Sequence, residues 1–168
     1  MQIRNLIALV AVVAAALVLA SCGTTGKRAY FGAHDAPRHF FFACDSSPFK
    51  DQVRKELIGK YMATTQIEVA PVGHLRNIDP DDYDLVLVID SCLAWTGFNP
   101  SLNRFLEQNS AKDNIVVFMT AGDPDWQFPD SEVDAVTSAS NVENVDAIVD
   151  QIAMKIDAKV PGGRENHQ

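Results

Sequence analysis

Three aspartates stand at or just after apolar runs of the chain, where acidic side chains can act together. Asp45 follows the run FFFAC, Asp90 follows LVLVI and Asp123 comes soon after IVVFMTA. If these runs are parallel strands, their carboxyl ends meet at one edge of a sheet and the three carboxylates can share a pocket. Such an acidic pocket would suit a divalent cation. The alternative is that each aspartate caps a helix start or stays in solvent. The four histidines lack metal-site spacing, so no metal ligand set is predicted.

One cysteine, Cys22, follows a segment typical of an export signal. A positive charge at Arg4 precedes an apolar run over residues 6–20, as in signal peptides. The sequence LASCG at its end resembles the lipobox of bacterial lipoproteins. The resemblance implies cleavage before Cys22 and lipidation of that cysteine, with an ordinary signal or an N-terminal anchor as the alternative. Because Gly23, not aspartate, follows, the resemblance favours the periplasmic face of the outer membrane over the inner membrane.

The chain divides into four predicted parts. Residues 1–21 are the signal peptide and residues 22–37 are the lipidated cysteine with a flexible tether rich in Gly and Ala. Residues 38–160 form the folded domain, and residues 161–168 form a disordered tail. The folded part is long enough for one domain with a sizeable core.

The charge of the chain excludes some partners. Lys and Arg number 14 and Asp and Glu 22, so the formal net charge is −8. An acidic protein does not attract nucleic acid or an anionic bilayer by its overall field. We therefore expect membrane attachment through lipid, a protein partner in the cell envelope that the sequence does not identify, and no nucleic-acid partner.

The pattern of apolar residues predicts the elements that would position these side chains. Wholly apolar runs indicate strands buried on both faces, and spacings of three and four indicate amphipathic helices. The predicted strands cover 39–44, 66–72, 83–90, 114–121 and 134–140, and the predicted helices cover 51–62, 100–108 and 142–159. Their alternation predicts an α/β domain: a three-layer α/β/α sandwich around a doubly wound, five-stranded parallel sheet.

Three segments of the domain resemble flavodoxin-like proteins. They are YDLVLVIDSCLAWTGFNPSLNRFLEQN, NIVVFMTAGDPDW and DAVTSASNVENVDAIVDQI. The resemblance implies the strand order 2-1-3-4-5, with a ligand at the switch point between the first and third strands. It also implies FMN as the cofactor, with its phosphate in a loop directly after the first strand.

The turn that would hold this phosphate departs from the family pattern. By resemblance, Ser46, Ser47 and Lys50 are the candidate phosphate contacts, since two hydroxyls and one ammonium remain. Against this, Pro48 replaces a glycine and lacks an N–H, and Asp45 places a negative charge near a dianion. We predict a degenerate loop whose main role is to start a helix, with no cofactor held in the family's manner.

The two tryptophans of the chain favour flavin binding, in contrast to the turn. Family members flank the flavin ring with aromatic side chains from two loops, and Trp95 and Trp126 fall in the corresponding loops. The resemblance therefore makes them candidate flavin-stacking residues, with capping of the sheet as the alternative. The function predicted is a membrane-anchored, non-catalytic binding module, and the alternative is an FMN-dependent electron carrier or reductase.

Two further cysteines lie near the same edge. In the implied strand order, Cys44 ends one strand and Cys92 follows its neighbour, and such strands lie about 4.8 Å apart. A structural or redox-active disulfide is therefore a candidate, because the bond needs Cα atoms within about 7 Å. The alternative is two small buried apolar side chains. No arrangement typical of a hydrolase is present, so no catalytic residue is predicted and enzymatic activity stays open.

Overall fold

A computed structural model describes residues 27–92, 99–109, 111–122, 134–138 and 142–160. Within these residues the chain forms one six-stranded sheet and three α-helices. The strands are β1 (Ala29–Phe31), β2 (His39–Cys44), β3 (Gln66–Ala70), β4 (Leu85–Ser91), β5 (Ile115–Thr120) and β6 (Asp134–Ser138). The helices are α1 (Pro48–Tyr61), α2 (Pro100–Asn109) and α3 (Val145–Lys159), with short 3₁₀ turns at Val72–Asn77, Pro80–Asp82 and Val142–Asn144.

The order of the strands defines the class of fold. The sheet reads β1-β3-β2-β4-β5-β6, and its pairs are parallel except for the antiparallel pair β1–β3. Counted among themselves, the five parallel strands lie in the order 2-1-3-4-5, which is flavodoxin-like. The α/β class is confirmed. The strand count is wrong by one, because the sheet is mixed and has a sixth strand.

The additional strand β1 lies within the segment predicted to be a tether. Three residues with no alternation of apolar and polar side chains carry no strand signal in the sequence. Non-local contacts hold β1 instead: the Arg28 guanidinium lies 2.6 Å from the buried carboxylate of Glu68 on β3. Gly32 then turns the chain with φ +81°, a conformation that favours glycine. The folded domain therefore includes β1, which lies before the predicted start at residue 38.

Helices cover both faces of the sheet. On one face α1 and α3 pack against each other, and their apolar residues join the side chains of Phe40, Phe42 and Phe118 in one core. On the other face α2 and the 3₁₀ turn Val72–Asn77 cover a second core that contains Phe41 and Met119. Alternation along each strand sends successive side chains to opposite faces, so both layers of the predicted sandwich are present.

Local chemistry explains where α1 begins. The Ser47 hydroxyl accepts a hydrogen bond from the Lys50 backbone N–H at 3.2 Å, and Pro48 occupies the first turn. A serine cap followed by proline is a favoured helix start, because proline's missing N–H is not needed there. The helix thus begins three residues before the predicted start at residue 51. This puts Lys50 inside its first turn.

Candidate functional site

The candidate site lies at the carboxyl ends of β2, β4 and β5. Strands β2 and β4 are direct neighbours, with Cys44 paired to Ile89. The chain leaves β2 through Asp45, whose backbone N–H donates to the Ile89 carbonyl at 2.8 Å. This bond holds the first residue of the turn against β4. The turn therefore occupies the switch point of the sheet, where open α/β sheets bind ligands.

The two serines of the turn are engaged within it. Ser47 caps α1 as described above, and the Ser46 hydroxyl donates to the Asp51 carboxylate at 3.0 Å. Phe49 is buried, with its ring centroid 6.3 Å from that of Phe118. The turn is thus a capped helix start whose hydroxyls and aromatic side chain point to partners in the protein.

Lys50 links the strand ends through its side chain. Only 3% of the residue is exposed, and its ammonium group donates to the Asp45 carboxylate at 2.5 Å and to the Ser91 hydroxyl at 2.6 Å. The Ser91 hydroxyl also lies 3.0 Å from that of Thr120 at the end of β5. One buried cation therefore joins three strand ends, and Asp45 neutralises it.

Asp90 is the carboxylate of this edge whose pKa departs most from its ordinary value. It is 4% exposed, one oxygen accepts the Ser91 backbone N–H at 2.8 Å, and the other has no hydrogen-bond partner among the described residues. Burial raises the pKa of Asp90 to about 6, against the Ser91 N–H that lowers it. The nearby charge of Asp45 raises this pKa further and that of Lys50 lowers it. The carboxyl is thus protonated far more readily than an ordinary aspartate.

These residues do not fit an FMN phosphate. A dianion needs free N–H donors and net positive charge at a helix start. In this turn Pro48 has no N–H, the Lys50 N–H bonds to Ser47 and the Lys50 ammonium bonds to Asp45. A phosphate would have to separate Lys50 from Asp45 and then lie beside that carboxylate. The degenerate loop that the sequence analysis expects stays a prediction.

The candidate disulfide between Cys44 and Cys92 is not formed in this structure. Both thiols are free. Cys44 belongs to the core under α1 and α3, whereas Cys92 packs against the core on the other face. Cys92 is also three residues beyond the strand partner of Cys44, which is about 10 Å along the sheet and too far for the bond. Burial is the main cause that raises the pKa of Cys44 to about 12, so it is an inert thiol.

Several predicted site residues lie outside the described residues. They are Cys22, Trp95, Trp126 and Asp123. Of the three aspartates of the predicted acidic pocket, the structure describes Asp45 and Asp90. Among the described residues, no three His, Cys, Asp or Glu side chains are grouped as a metal ion would require.

Ser91 and Thr120 belong to the site but were not predicted. Each ends a buried strand with a hydroxyl, and both strands present these residues to the face that carries Lys50. The signal that could have found them is the one that found the aspartates, namely a polar residue closing an apolar run. A cavity of about 560 Å³ also lies between β6 and α3, but Asp134 at its rim is already paired with Lys155 and Lys159.

Comparison with solved structures adds a likeness in fold. No protein-family model and no curated protein matches the sequence. Among solved structures, a flavodoxin from Streptococcus pneumoniae TIGR4 is similar over 72% of this chain and 97% of its own, with 15% identity and a TM-score of 0.42. This similarity is too remote to assign a ligand or an activity to the chain. The strand order is what makes the fold flavodoxin-like.

No helix in the part of the chain that the structure describes is long and apolar enough to span a bilayer.

Proposed function

We propose that this protein is an envelope lipoprotein, anchored through Cys22, whose flavodoxin-like domain is a non-catalytic binding module that does not hold FMN. The supporting observation is the closure of the phosphate turn by Lys50. Its ammonium group bonds to Asp45 and Ser91, at the place where the family would hold a phosphate. The export signal and lipobox support the anchor, and the outer membrane is the proposed destination.

Electrostatics supports the absence of a flavin phosphate. Lys50 is buried, so separating it from Asp45 would leave a poorly solvated ammonium, and such breakage is costly. The anion would gain one cation but would also meet the Asp45 carboxylate. A site preorganised for phosphate has the opposite arrangement, with donors already free and aimed at the ligand.

An FMN-dependent electron carrier is the alternative function. The feature that favours it is the position of Trp95 and Trp126 in the two loops that resemble flavin-stacking loops. Aromatic residues in loops at a binding edge equally suit a protein or peptide partner, since Trp is enriched at such interfaces. The alternative requires a flavin bound without the usual phosphate contacts.

Two measurements on protein purified from its own membranes test the proposal. Intact mass should show the chain beginning at Cys22 with a diacylglyceryl adduct, and Cys22→Ala should abolish the adduct and processing. An unmodified mature chain would overturn the anchor. The visible absorbance spectrum of the same sample should lack flavin bands. A yellow protein with stoichiometric FMN would replace the binding module with the electron carrier.

A further inference from the structure

The strand β6 and the helix α3 border a groove that lies apart from the Lys50 network. It is the cavity of about 560 Å³ noted above, and it is lined by residues of β6 and by one face of α3. Met154 on this face is the most exposed large apolar side chain among the described residues, at 61%. We call this cavity, bounded by residues 134–137 and 151–158, the β6 groove.

The backbone of β6 presents hydrogen-bonding groups to this groove. The Ala121 N–H donates to the Ser138 carbonyl at 3.1 Å, so Ser138 directs its backbone groups toward the β5 side. Along a strand, the backbone groups of successive residues point to alternate sides. Ala135 and Thr137 therefore each direct an N–H and a C=O away from β5, where no strand of the described sheet pairs with them. An outer strand of this kind can accept a further strand.

The groove has a positive end in an otherwise acidic protein. The Asp134 carboxylate lies 2.6 Å from the Lys159 ammonium and 3.0 Å from the Lys155 ammonium. Hydrogen bonds from Lys159 and Lys155 lower the pKa of Asp134, so its carboxylate is ionised. Two cations thus share one anion, whereas the chain as a whole carries a net charge of −8. The other residues that line the groove are uncharged, so this end suits a further carboxylate.

The position of the two lysines favours one direction for an added strand. Asp134 is the first residue of β6, so the positive end lies beside the start of this strand. An added strand that runs antiparallel, the slightly more stable pairing, ends there. Its C-terminal carboxylate then lies beside Lys155 and Lys159, and every second side chain faces the α3 side of the groove at Met154.

We propose that the β6 groove binds the extended C-terminal segment of another envelope protein as an antiparallel seventh strand, with the terminal carboxylate at Lys155 and Lys159. This inference depends on the binding-module function proposed above and gives that module a class of partner. A second copy of this chain suits the groove less well, because each copy carries a net charge of −8 and like charges repel.

A library of short random peptides with free C-termini tests the proposal on the purified mature lipoprotein in detergent. Peptides enriched by selection on the protein are synthesised, and their affinity is measured by fluorescence anisotropy. We expect amidation of the C-terminal carboxylate to weaken binding at least about tenfold, because the charge-assisted hydrogen bonds to the two lysines are lost.

Two variants separate the backbone contact from the charge contact. Thr137→Pro removes one outward N–H, and an outer strand tolerates proline, so we expect at least about tenfold weaker binding. Lys155→Glu reverses a charge at a partly exposed position and should weaken the same peptides at least as much. Lys112 is also paired with an aspartate, Asp81, elsewhere on the surface, so Lys112→Glu is the matched control and should leave the affinity unchanged.

The outcomes separate this inference from the function it depends on. If no peptide is enriched, or if amidation and Lys155→Glu leave the affinity unchanged, the inference is wrong while the anchor and the absence of flavin stand. A wild-type dimer that Thr137→Pro converts to a monomer in sedimentation would assign the groove to a second copy instead. Peptide binding that requires removal of residues 161–168 would assign it to the chain's own tail. A protein loaded with FMN would overturn the proposed function, whatever the peptides show.

Discussion

Lys50 is the residue around which this edge of the sheet is organised. A buried ammonium needs a counter-charge and acceptors for its protons, and Asp45 and Ser91 supply them. Asp90 lies near the same charges but keeps one oxygen without a hydrogen bond among the described residues. Lys50, Asp45 and Ser91 therefore form a hydrogen-bonded polar network, and the unpaired oxygen of Asp90 lies beside it.

The buried carboxyl of Asp90 predicts a pH dependence of stability. Because burial raises the pKa of Asp90 from 3.8 to about 6, the folded protein keeps a proton that the unfolded chain has released between these values. Stability therefore falls as the pH rises through this window. We expect Asp90→Asn to be more stable than the wild type at pH 7 by on the order of 2 kcal/mol and equal to it below about pH 4. Urea unfolding at both pH values measures this.

Replacing Lys50 tests the network itself. Lys50→Met keeps the length of the side chain but leaves Asp45 unpaired and removes the donor to Ser91. We expect a loss of about 1–3 kcal/mol in the free energy of unfolding at pH 7. Lys55 is exposed on the same helix, so Lys55→Met is the matched control and should change stability by less than about 0.5 kcal/mol. Equal effects of the two variants would mean that the Lys50 ion pair contributes nothing.

At this scale the sequence located part of the site. Asp45 and Asp90 were expected at one edge because they follow apolar runs, and Lys50 was expected there through the resemblance. In the structure Lys50 bonds to Asp45, and the charges of both act on Asp90. The candidate cysteine pair was inferred from the distance between neighbouring strands, without the alternation of side chains between the two faces. Counting from the paired positions Cys44 and Ile89, three steps along β4 bring Cys92 to the opposite face.

At the scale of elements, β1 depends on its turn. Gly32 has φ +81°, and a Cβ there would collide with the Thr65 and Met62 carbonyl oxygens. We expect Gly32→Ala to lower the free energy of unfolding by more than about 1 kcal/mol and to detach β1, seen as faster hydrogen exchange in β1.

Gly59 offers the opposite expectation within the same chain. It lies on α1, and a Cβ there would meet nothing within 4 Å. We expect Gly59→Ala to stabilise the protein by about 0.5–1 kcal/mol, because alanine restricts the unfolded chain and favours helix. If both glycine variants destabilised the protein alike, backbone conformation would not explain the Gly32 effect.

The sequence predicted best those elements whose own residues are mostly apolar and therefore indicate burial. The strands β2, β4 and β5 are apolar except for one or two residues at an end, and the sequence predicted each of their ends to within two residues. Strand β1 was missed because its stability comes from Arg28, Glu68 and the Gly32 turn, which are contacts distant in sequence or specific to one backbone angle. The start of α1 was misplaced because Pro48 was considered only as an obstacle to phosphate.

At the scale of the molecule, the parallel strands bring the residues of the Lys50 network together at one edge of the sheet, the edge formed by their carboxyl ends. Strand order followed from the resemblance to flavodoxins, since hydrophobic pattern alone does not fix which strands are neighbours. In our proposal the absence of FMN depends on side-chain pairing around Lys50, which no pattern in the sequence encodes.

The most direct test of the central claim is a titration of FMN with the purified mature protein, followed by quenching of flavin fluorescence. The closed turn predicts no saturable binding of FMN at concentrations up to about 1 mM. Any binding free energy would then be less favourable than about −4 kcal/mol. Stoichiometric binding with a dissociation constant near 1 μM or below would contradict the claim. It would show that this edge of the sheet opens to a flavin despite the Lys50–Asp45 pair.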